Sequence, residues 1–238
     1  MSGHSHWAGI KHKKGLADVK RSKTFSKMAK EITVATKEGG GTPEFNSKLR
    51  LAIEKAKALN MPADNIERAI KRGSGELEGI QLESVIFEAY GPGGSAIIVE
   101  GITDNKNRTL GEIKQIFNQN GGKLVNEGAV RWLFERKGVV TVPSQEKNKE
   151  GLEMTAIEAG AEDIYWRDEA LDVYTKPEDL EKVKKKLENK NIEIEAASLD
   201  WVAKEQIELE EKDKQVCQKL FESLDENDAV QEIYSNVK

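Results

Sequence analysis

A change of hydrophobic periodicity near residue 80 limits the possible folds of this chain more than any other property of its sequence. Before it, apolar residues such as Phe25, Met28 and Ile32 recur every three to four positions, the spacing of amphipathic helices. After it, the apolar runs 85–90 and 96–102 are short, rich in β-branched residues and bounded by glycine and proline, which indicates strands. The chain therefore predicts a helical N-terminal part followed by an α+β part.

Glycine and proline divide the helical part into three segments. Gly39, followed by two further glycines, ends the first helix. Thr42 before Pro43 has the pattern of an N-cap with proline in the first turn, and it predicts that the second helix begins there. The break at Pro62 separates the third helix, which ends at Gly73. The buried residues expected in the second and third helices are Phe45, Leu49, Ala52, Ile53, Ala56, Ile66, Ala69 and Ile70.

The α+β part contains two successive patterns. The turn sequence Gly-Pro-Gly-Gly at 91–94 predicts a hairpin of the strands 85–90 and 96–102. A helix near 106–120 and a strand at 129–134 follow. From Gly138 onward we predict strand 139–142, helix 147–159, strands 163–166 and 171–174, helix 178–189 and strand 192–197, which is the ferredoxin-like βαββαβ order. A long acidic helix at 204–225 and a strand at 230–234 complete the chain.

The first α+β unit lacks a helix and a strand, which the C-terminal segment supplies. We therefore expect an α+β fold with an N-terminal three-helix domain followed by two α+β domains, one ferredoxin-like and inserted into the other. The expected boundaries are 1–79 for a basic leading segment and helical bundle, 80–137 with 204–238 for the outer α+β domain, and 138–203 for the inserted one.

Charge is distributed unevenly along the chain. The 238 residues carry a net charge of −5, yet residues 1–72 hold 16 Lys and Arg against 7 Asp and Glu. Such a basic end predicts a polyanionic partner, although a modestly basic bundle beside a solvated acidic remainder stays an alternative. Between residues 11 and 30 the cations face a single acid, Asp18, and the side chains expected to contact phosphates are Lys11, Lys13, Lys14, Lys20, Arg21, Lys23, Lys27 and Lys30.

The sequence argues against catalysis. All three histidines lie within the first twelve residues, so a Ser-His-Asp or Cys-His site would need that leading segment. Cys217 lies among acidic neighbours that disfavour its thiolate, which predicts a structural cysteine. We expect no enzyme, no cofactor and no metal site; the N-terminal Ser-Gly-His motif would bind Cu(II) or Ni(II) only adventitiously.

Base readout is not evident in the pattern. Arg50, Asn65, Arg68 and Arg72 are of suitable type, but no recognition-helix signature accompanies them. Trp7, flanked by basic residues, suits either stacking on a base or anchoring the leading segment against the helices. The N-terminus has no apolar h-region and no apolar run reaches membrane-spanning length, so we expect a soluble, cytoplasmic protein with no membrane partner.

Seven motifs, in order, resemble the YebC/PmpR family. They are GHSHWAGIKHKK, EITVATKEGGG, NMPADNIERAIKRGSG, FEAYGPGG, TDNKNRT, AIEAGAED and IYSN, and they extend from residue 3 to residue 236. The departures are His6 and Gly9, where many members carry Lys and Asn. The resemblance implies the same arrangement of one helical and two α+β domains.

The resemblance implies nucleic acid as the partner, in one of two ways. Members are usually described as DNA-binding transcriptional regulators, whereas others act as ribosome-associated translation factors that relieve stalling at proline-rich stretches, which would make the ribosome and its RNA the partner. Asn107 and Arg108 are weaker candidates for contact, since a helix N-cap explains that segment equally well. Carried over by position, the residues implied to contact nucleic acid are Lys11, His12, Lys13, Lys14, Arg68, Lys71 and Arg72.

Overall fold

The computed structural model describes residues 18–143, 149–167 and 170–238, with side chains from residue 21 onward. Within these ranges the chain begins with a bundle of three helices, α1 (Asp18–Gly39), α2 (Ser47–Ala58) and α3 (Ala63–Gly73). Burial of their apolar stripes stabilises the bundle. Its buried core consists of Met28, Ile32, Ala35, Leu49, Ala52, Ile53, Ala56, Met61, Ile66 and Ala69.

The second helix begins later than Thr42, so the predicted N-cap is wrong. Asn46 is the cap: its side-chain oxygen accepts a hydrogen bond from the backbone N–H of Leu49 at 3.0 Å. Its amide group donates to two backbone carbonyls at the C-terminal end of α1, each at 2.8 Å. These contacts leave Phe45 in the preceding turn with 90% of its surface exposed, and the expectation that it is buried is also wrong.

The rest of the described chain contains eight strands and four further helices. The strands are β1 (Glu83–Tyr90), β2 (Ala96–Thr103), β3 (Lys123–Val125), β4 (Phe134–Pro143), β5 (Asp163–Arg167), β6 (Ala170–Thr175), β7 (Ala196–Ala203) and β8 (Val230–Ser235). The helices are α4 (Lys106–Gln119), α5 (Lys149–Ala159), α6 (Leu180–Asn189) and α7 (Glu211–Asp225).

The first sheet has the order β3-β1-β2-β8 and is antiparallel throughout. As predicted, β1 and β2 form a hairpin, with Tyr90 paired to Ala96 next to the turn. The apolar residues of one face pack against α4 and α7 in a common core. That core includes Val85, Phe87, Ile97, Val99, Ile113, Phe117, Leu220, Leu224, Val230 and Ile233.

The segment between α4 and β4 differs from the prediction. Residues 123–125 form a short strand, and residues 131–133 form a 3₁₀ turn in place of the predicted strand at 129–134. The carboxylate of Glu88 is the reason, because it accepts hydrogen bonds from the backbone N–H groups of Gly128, Val130 and Arg131 at 2.8, 2.9 and 2.9 Å. Backbone groups bound in this way are unavailable to a strand ladder.

The second sheet has the order β5-β6-β4-β7 and is also antiparallel. With α5 and α6 it forms the predicted ferredoxin-like βαββαβ unit. Its last strand is found at Ala196–Ala203 and not at 192–197, because β4 begins at Phe134 and pairs with that whole segment. The final helix accordingly begins at Glu211 and not at 204.

After the second sheet the chain returns to the first, where β8 pairs with β2. The fold class is therefore as predicted: a three-helix unit followed by two α+β units, one inserted into the other. The boundaries 80–137, 138–203 and 204–238 stay a prediction.

Candidate nucleic-acid interface

Part of the predicted contact set lies outside the described residues. These residues are Trp7, Lys11, His12, Lys13 and Lys14, which precede residue 18, and Lys20, whose backbone is in α1 but whose side chain is not described. Their contact with nucleic acid stays a prediction.

Three lysines of α1 contact the other end of the chain. Lys23, Lys27 and Lys30 follow one another at spacings of four and three, which places them on one helix face. This face meets residues 225–228, here called the acidic turn, which comprise the last residue of α7 and the start of its connection to β8. The Lys27 ammonium donates to the carbonyl oxygen of Asp225 at 2.7 Å, and that of Lys30 to the carbonyl oxygen of Asp228 at 2.8 Å. Lys23 forms an ion pair with the Asp228 carboxylate at 3.5 Å.

Lys27 is the most deeply placed of these cations. Only 7% of its surface is exposed, and its ammonium also lies 3.4 Å from the Asp225 carboxylate. Because Asp225 is the last residue of α7, its carbonyl belongs to a helix C-terminus, where the helix dipole favours a cation. A phosphate can therefore reach Lys27 only if the contact with the acidic turn opens.

Cations of α2 connect the bundle to both α+β units. Arg50 pairs with Glu181 of α6 at 3.1 Å and donates to the carbonyl of Pro43 at 2.7 Å. Lys55 lies between Glu31 and Glu232, at 3.1 and 2.7 Å. Burial alone would lower the pKa of Lys55, but the two carboxylates outweigh it and raise the pKa above its ordinary value.

The predicted cations of α3 face solvent. Arg68 and Arg72 are exposed, one helical turn apart, while Ile66 and Ala69 fill the opposite face. Lys71 forms an ion pair with Glu67 at 2.7 Å, and this hydrogen bond raises the pKa of Lys71. Among the predicted residues whose side chains are described, Arg68 and Arg72, together with Arg21 at the start of α1, are exposed.

The DNKNRT segment forms one wall of a polar cleft of about 410 Å³ at the junction of α1, α4 and the acidic turn. Asn105 caps α4 by accepting from the N–H of Arg108 at 3.0 Å, so the N-cap interpretation of this segment is supported. The Arg108 guanidinium pairs with Asp104 and lies 3.7 Å from Glu112. With Lys30 and Asp228 also in its lining, the cleft has mixed charge.

The described residues show no arrangement typical of catalysis. Cys217 is buried, and burial, with a smaller contribution from Asp213, raises the pKa of its thiol, which makes it a poor nucleophile. No group of three His, Cys, Asp or Glu side chains suited to a metal ion occurs in the described ranges. Nor does any helix in these ranges have the length and apolar character needed to cross a membrane.

The joints between α1 or α2 and the rest of the molecule had no counterpart in the sequence prediction. The partners of Lys23, Lys27 and Lys30 lie about 200 positions away along the chain, and no local pattern signals such a contact. The sequence shows that lysine is abundant, but it does not show which lysines contact other parts of the protein and which are exposed to solvent.

Family models match nearly the whole chain. The model described as "TACO1/YebC protein N-terminal domain" matches residues 5–76, and the model described as "TACO1/YebC second and third domain" matches residues 82–237. The first match covers the helical bundle and the segment before it, and the second covers both sheets.

Relatives of similar length share about half of the sequence. A probable transcriptional regulatory protein from Persephonella marina is 51% identical, over 99% of this chain and 95% of that protein. One from Caldanaerobacter subterraneus is 50% identical, over 100% and 98%. The crystal structure of a conserved hypothetical protein from Aquifex aeolicus superposes with a TM-score of 0.90 at 49% identity, covering 98% of this chain and 97% of that one.

Proposed function

The chain belongs to the TACO1/YebC family, and on that premise we propose that it is a non-enzymatic regulator of gene expression that binds nucleic acid through its basic N-terminal part. Relatives named probable transcriptional regulatory proteins support the regulatory role. The observation that carries the proposal is the charge distribution: 16 Lys and Arg against 7 Asp and Glu in residues 1–72 of a chain whose net charge is −5.

The structure supports two different roles for these cations, one in contacts within the protein and one at the exposed surface. Lys27, Arg50 and Lys55 hold the bundle to the α+β units. Arg68 and Arg72 project from α3 into solvent. We therefore assign phosphate contact to the outer face of α3 and to the predicted residues before residue 18. Lys and Arg contacts to phosphates supply affinity without sequence specificity.

The test is the salt dependence of binding to a nonspecific duplex DNA. If about half of the excess positive charge meets phosphates, log K falls against log salt with a slope of roughly −4. Replacing Arg68, Lys71 and Arg72 together by glutamine lowers the magnitude of this slope by about 3, roughly 1 for each lost phosphate contact. The matched control replaces Lys176, Lys182 and Lys185, three exposed lysines of the ferredoxin-like unit, and leaves the slope unchanged.

A DNA-binding transcriptional regulator is the first of two candidates. It predicts discrimination between one promoter and random duplex, typically a thousandfold or more for specific binders. Discrimination below about tenfold at moderate salt contradicts this candidate.

The second candidate is a ribosome-associated translation factor that binds ribosomal RNA. It is favoured by the engagement of Lys27, Arg50 and Lys55 with acceptors on the α+β units, because α1 and α2 then cannot use these side chains in a major groove. Crosslinking in cells followed by sequencing of the attached nucleic acid distinguishes the candidates by yielding ribosomal RNA or promoter DNA. Loss of co-sedimentation with ribosomes after removal of residues 1–17 is expected only for the second.

A further inference from the structure

Two exposed aromatic side chains beside the first sheet donate hydrogen bonds to one backbone carbonyl. The indole N–H of Trp132 donates to the carbonyl oxygen of Ala129 at 3.0 Å, and the hydroxyl of Tyr90 donates to the same oxygen at 3.5 Å. Trp132 is 64% exposed and Tyr90 is 40% exposed. A large aromatic surface therefore faces solvent in a defined orientation.

The loop that carries Trp132 is held in place by the buried carboxylate of Glu88. Glu88 is 3% exposed, and its carboxylate accepts hydrogen bonds from the backbone N–H groups of residues 128, 130 and 131 and pairs with the Arg131 guanidinium at 3.1 Å. The next residue along, Leu133, accepts a backbone hydrogen bond from Lys204 at 2.9 Å. The ring of Trp132 is thus presented by a rigid support, which reduces the entropy lost when it binds a partner.

A cation lies beside the rings. Lys123 of β3 is directly opposite Tyr90 of β1, so the two side chains share one face of the sheet, and Lys123 is exposed. Arg131 is committed to Glu88 and Glu127, whereas Lys123 offers an exposed positive charge next to Tyr90. We call Tyr90, Lys123 and Trp132 the aromatic patch.

The size of the aromatic patch matches a small ligand surface. A Trp and a Tyr exposed to this extent offer roughly 200–250 Å² of aromatic surface, so a stable protein interface of roughly 800 Å² per partner would have to draw most of its area from the residues around them. The flanking apolar residues Val125 and Leu133 are half-buried and extend it little. An area of this size, with one adjoining cation, suits one or two nucleobases and a phosphate.

We propose that the aromatic patch binds unpaired bases of single-stranded nucleic acid, with a base stacked on Trp132 and the adjacent phosphate paired with Lys123. The inference rests on the proposed nucleic-acid binding and adds a second, strand-selective contact to it. Stacking on an aromatic ring accepts any base, because every base has a π-face. The bases of a duplex are stacked internally, so they cannot use this surface.

The patch is separated from the helical bundle along β1. Ser84, near the start of β1, lies 3.4 Å from Glu38 of α1, whereas Tyr90 ends the strand. Six residues of strand correspond to about 20 Å. A nucleic-acid strand that contacts both the helical bundle and the aromatic patch must cover this distance, so the probe has to be longer than the one or two bases that the patch accepts.

The experiment compares binding of a labelled oligouridylate of about 16 nucleotides, at the upper end of single-strand site sizes, with binding of the same strand annealed to oligoadenylate. Trp132→Ala is expected to weaken single-strand binding about tenfold and to leave duplex binding unchanged. Trp132→Phe, which keeps a ring, retains most of the affinity, whereas Trp132→Leu behaves like alanine. Phe45→Ala is the matched control, since Phe45 is an exposed aromatic on the bundle.

Each other result has a separate meaning. If the wild-type chain binds the single strand and Trp132→Ala binds it equally well, or if Trp132→Ala and Phe45→Ala weaken the binding equally, the patch has no specific role and the proposal fails while nucleic-acid binding stands. Equal weakening of single-strand and duplex binding by Trp132→Ala also overturns it, because stacking of unpaired bases is then not the cause. If the wild-type chain binds neither probe nor ribosomal RNA, the proposed function fails as well. Urea unfolding curves of all variants exclude loss of folding as the cause.

Discussion

Replacing Glu88 by glutamine is expected to loosen the loop at residues 126–133 while leaving the sheet in place. One carboxylate oxygen accepts from Val130 and Arg131, each at 2.9 Å, and the other accepts from Gly128 at 2.8 Å. A glutamine has a single acceptor oxygen, so at least one backbone N–H of the loop must face an amide NH₂ group. The Arg131 guanidinium also loses its buried counter-charge.

The magnitude follows from these losses. A buried donor left unsatisfied costs about 1–3 kcal/mol, and breaking a buried ion pair by removing one partner costs about 3–5 kcal/mol. Because Arg131 keeps its second ion pair, with Glu127 at 3.2 Å, we expect Glu88→Gln to lower the free energy of unfolding by about 2–4 kcal/mol. Glu127→Gln is the matched control. Its carboxylate is 82% exposed, and surface ion pairs contribute at most about 1 kcal/mol.

The effect also depends on pH in a definite direction. Burial by itself would raise the pKa of Glu88, but the three backbone hydrogen bonds and Arg131 outweigh it and lower the pKa below its ordinary value. A carboxyl group with a lowered pKa stabilises the folded state above its unfolded pKa of about 4.3, and this contribution is lost as the pH falls toward the folded pKa. The difference between wild type and Glu88→Gln should therefore be full at pH 7 and shrink below about pH 4.

Urea unfolding measures the free energies, and hydrogen exchange of the backbone amides at residues 128–131 locates the change. The expected outcome is faster exchange of these amides in Glu88→Gln, with β1 and β2 still protected. A Glu88→Gln protein within about 0.5 kcal/mol of the wild type, the range of a neutral surface change, would refute the view that this carboxylate organises the loop.

Three further predictions concern other parts of the molecule. Lys27→Met removes the ammonium that contacts Asp225 and should destabilise the protein by about 1–3 kcal/mol, with faster amide exchange at residues 225–228; unchanged exchange there would contradict the docking of α1. Gly73→Ala should destabilise the protein by about 1–3 kcal/mol, because the added Cβ would lie 2.4 Å from a backbone carbonyl oxygen of α1. Gly111→Ala, in open space on α4, should instead stabilise the protein by up to about 1 kcal/mol. Thermal unfolding measures both variants, and equal shifts of the midpoint would refute the packing argument. Burial raises the pKa of the Cys217 thiol, so this thiol should react with a thiol reagent at pH 8 only after denaturation. Rapid labelling of the native protein would contradict this, because it would show that the thiol is accessible.

The local elements were largely predictable because their causes are local. The helical spacing of Met28 and Ile32 and the glycine-proline turn at 91–94 indicate helix and hairpin from neighbouring residues alone. The predictions that were wrong concern segments whose structure depends on contacts with residues that are not their neighbours in the sequence. The start of α2 depends on the amide of Asn46 reaching carbonyls of α1, and the loop before β4 depends on a carboxylate some 40 residues away.

The candidate site divides in the same way. The sequence by itself determined that positive charge is concentrated before residue 73 and negative charge after it, because composition requires no knowledge of contacts. Only the tertiary structure decided that Lys27 is buried against Asp225 while Arg68 faces solvent. Identical charges in the sequence acquire different roles because burial and pairing depend on which distant segment each side chain meets in the folded chain.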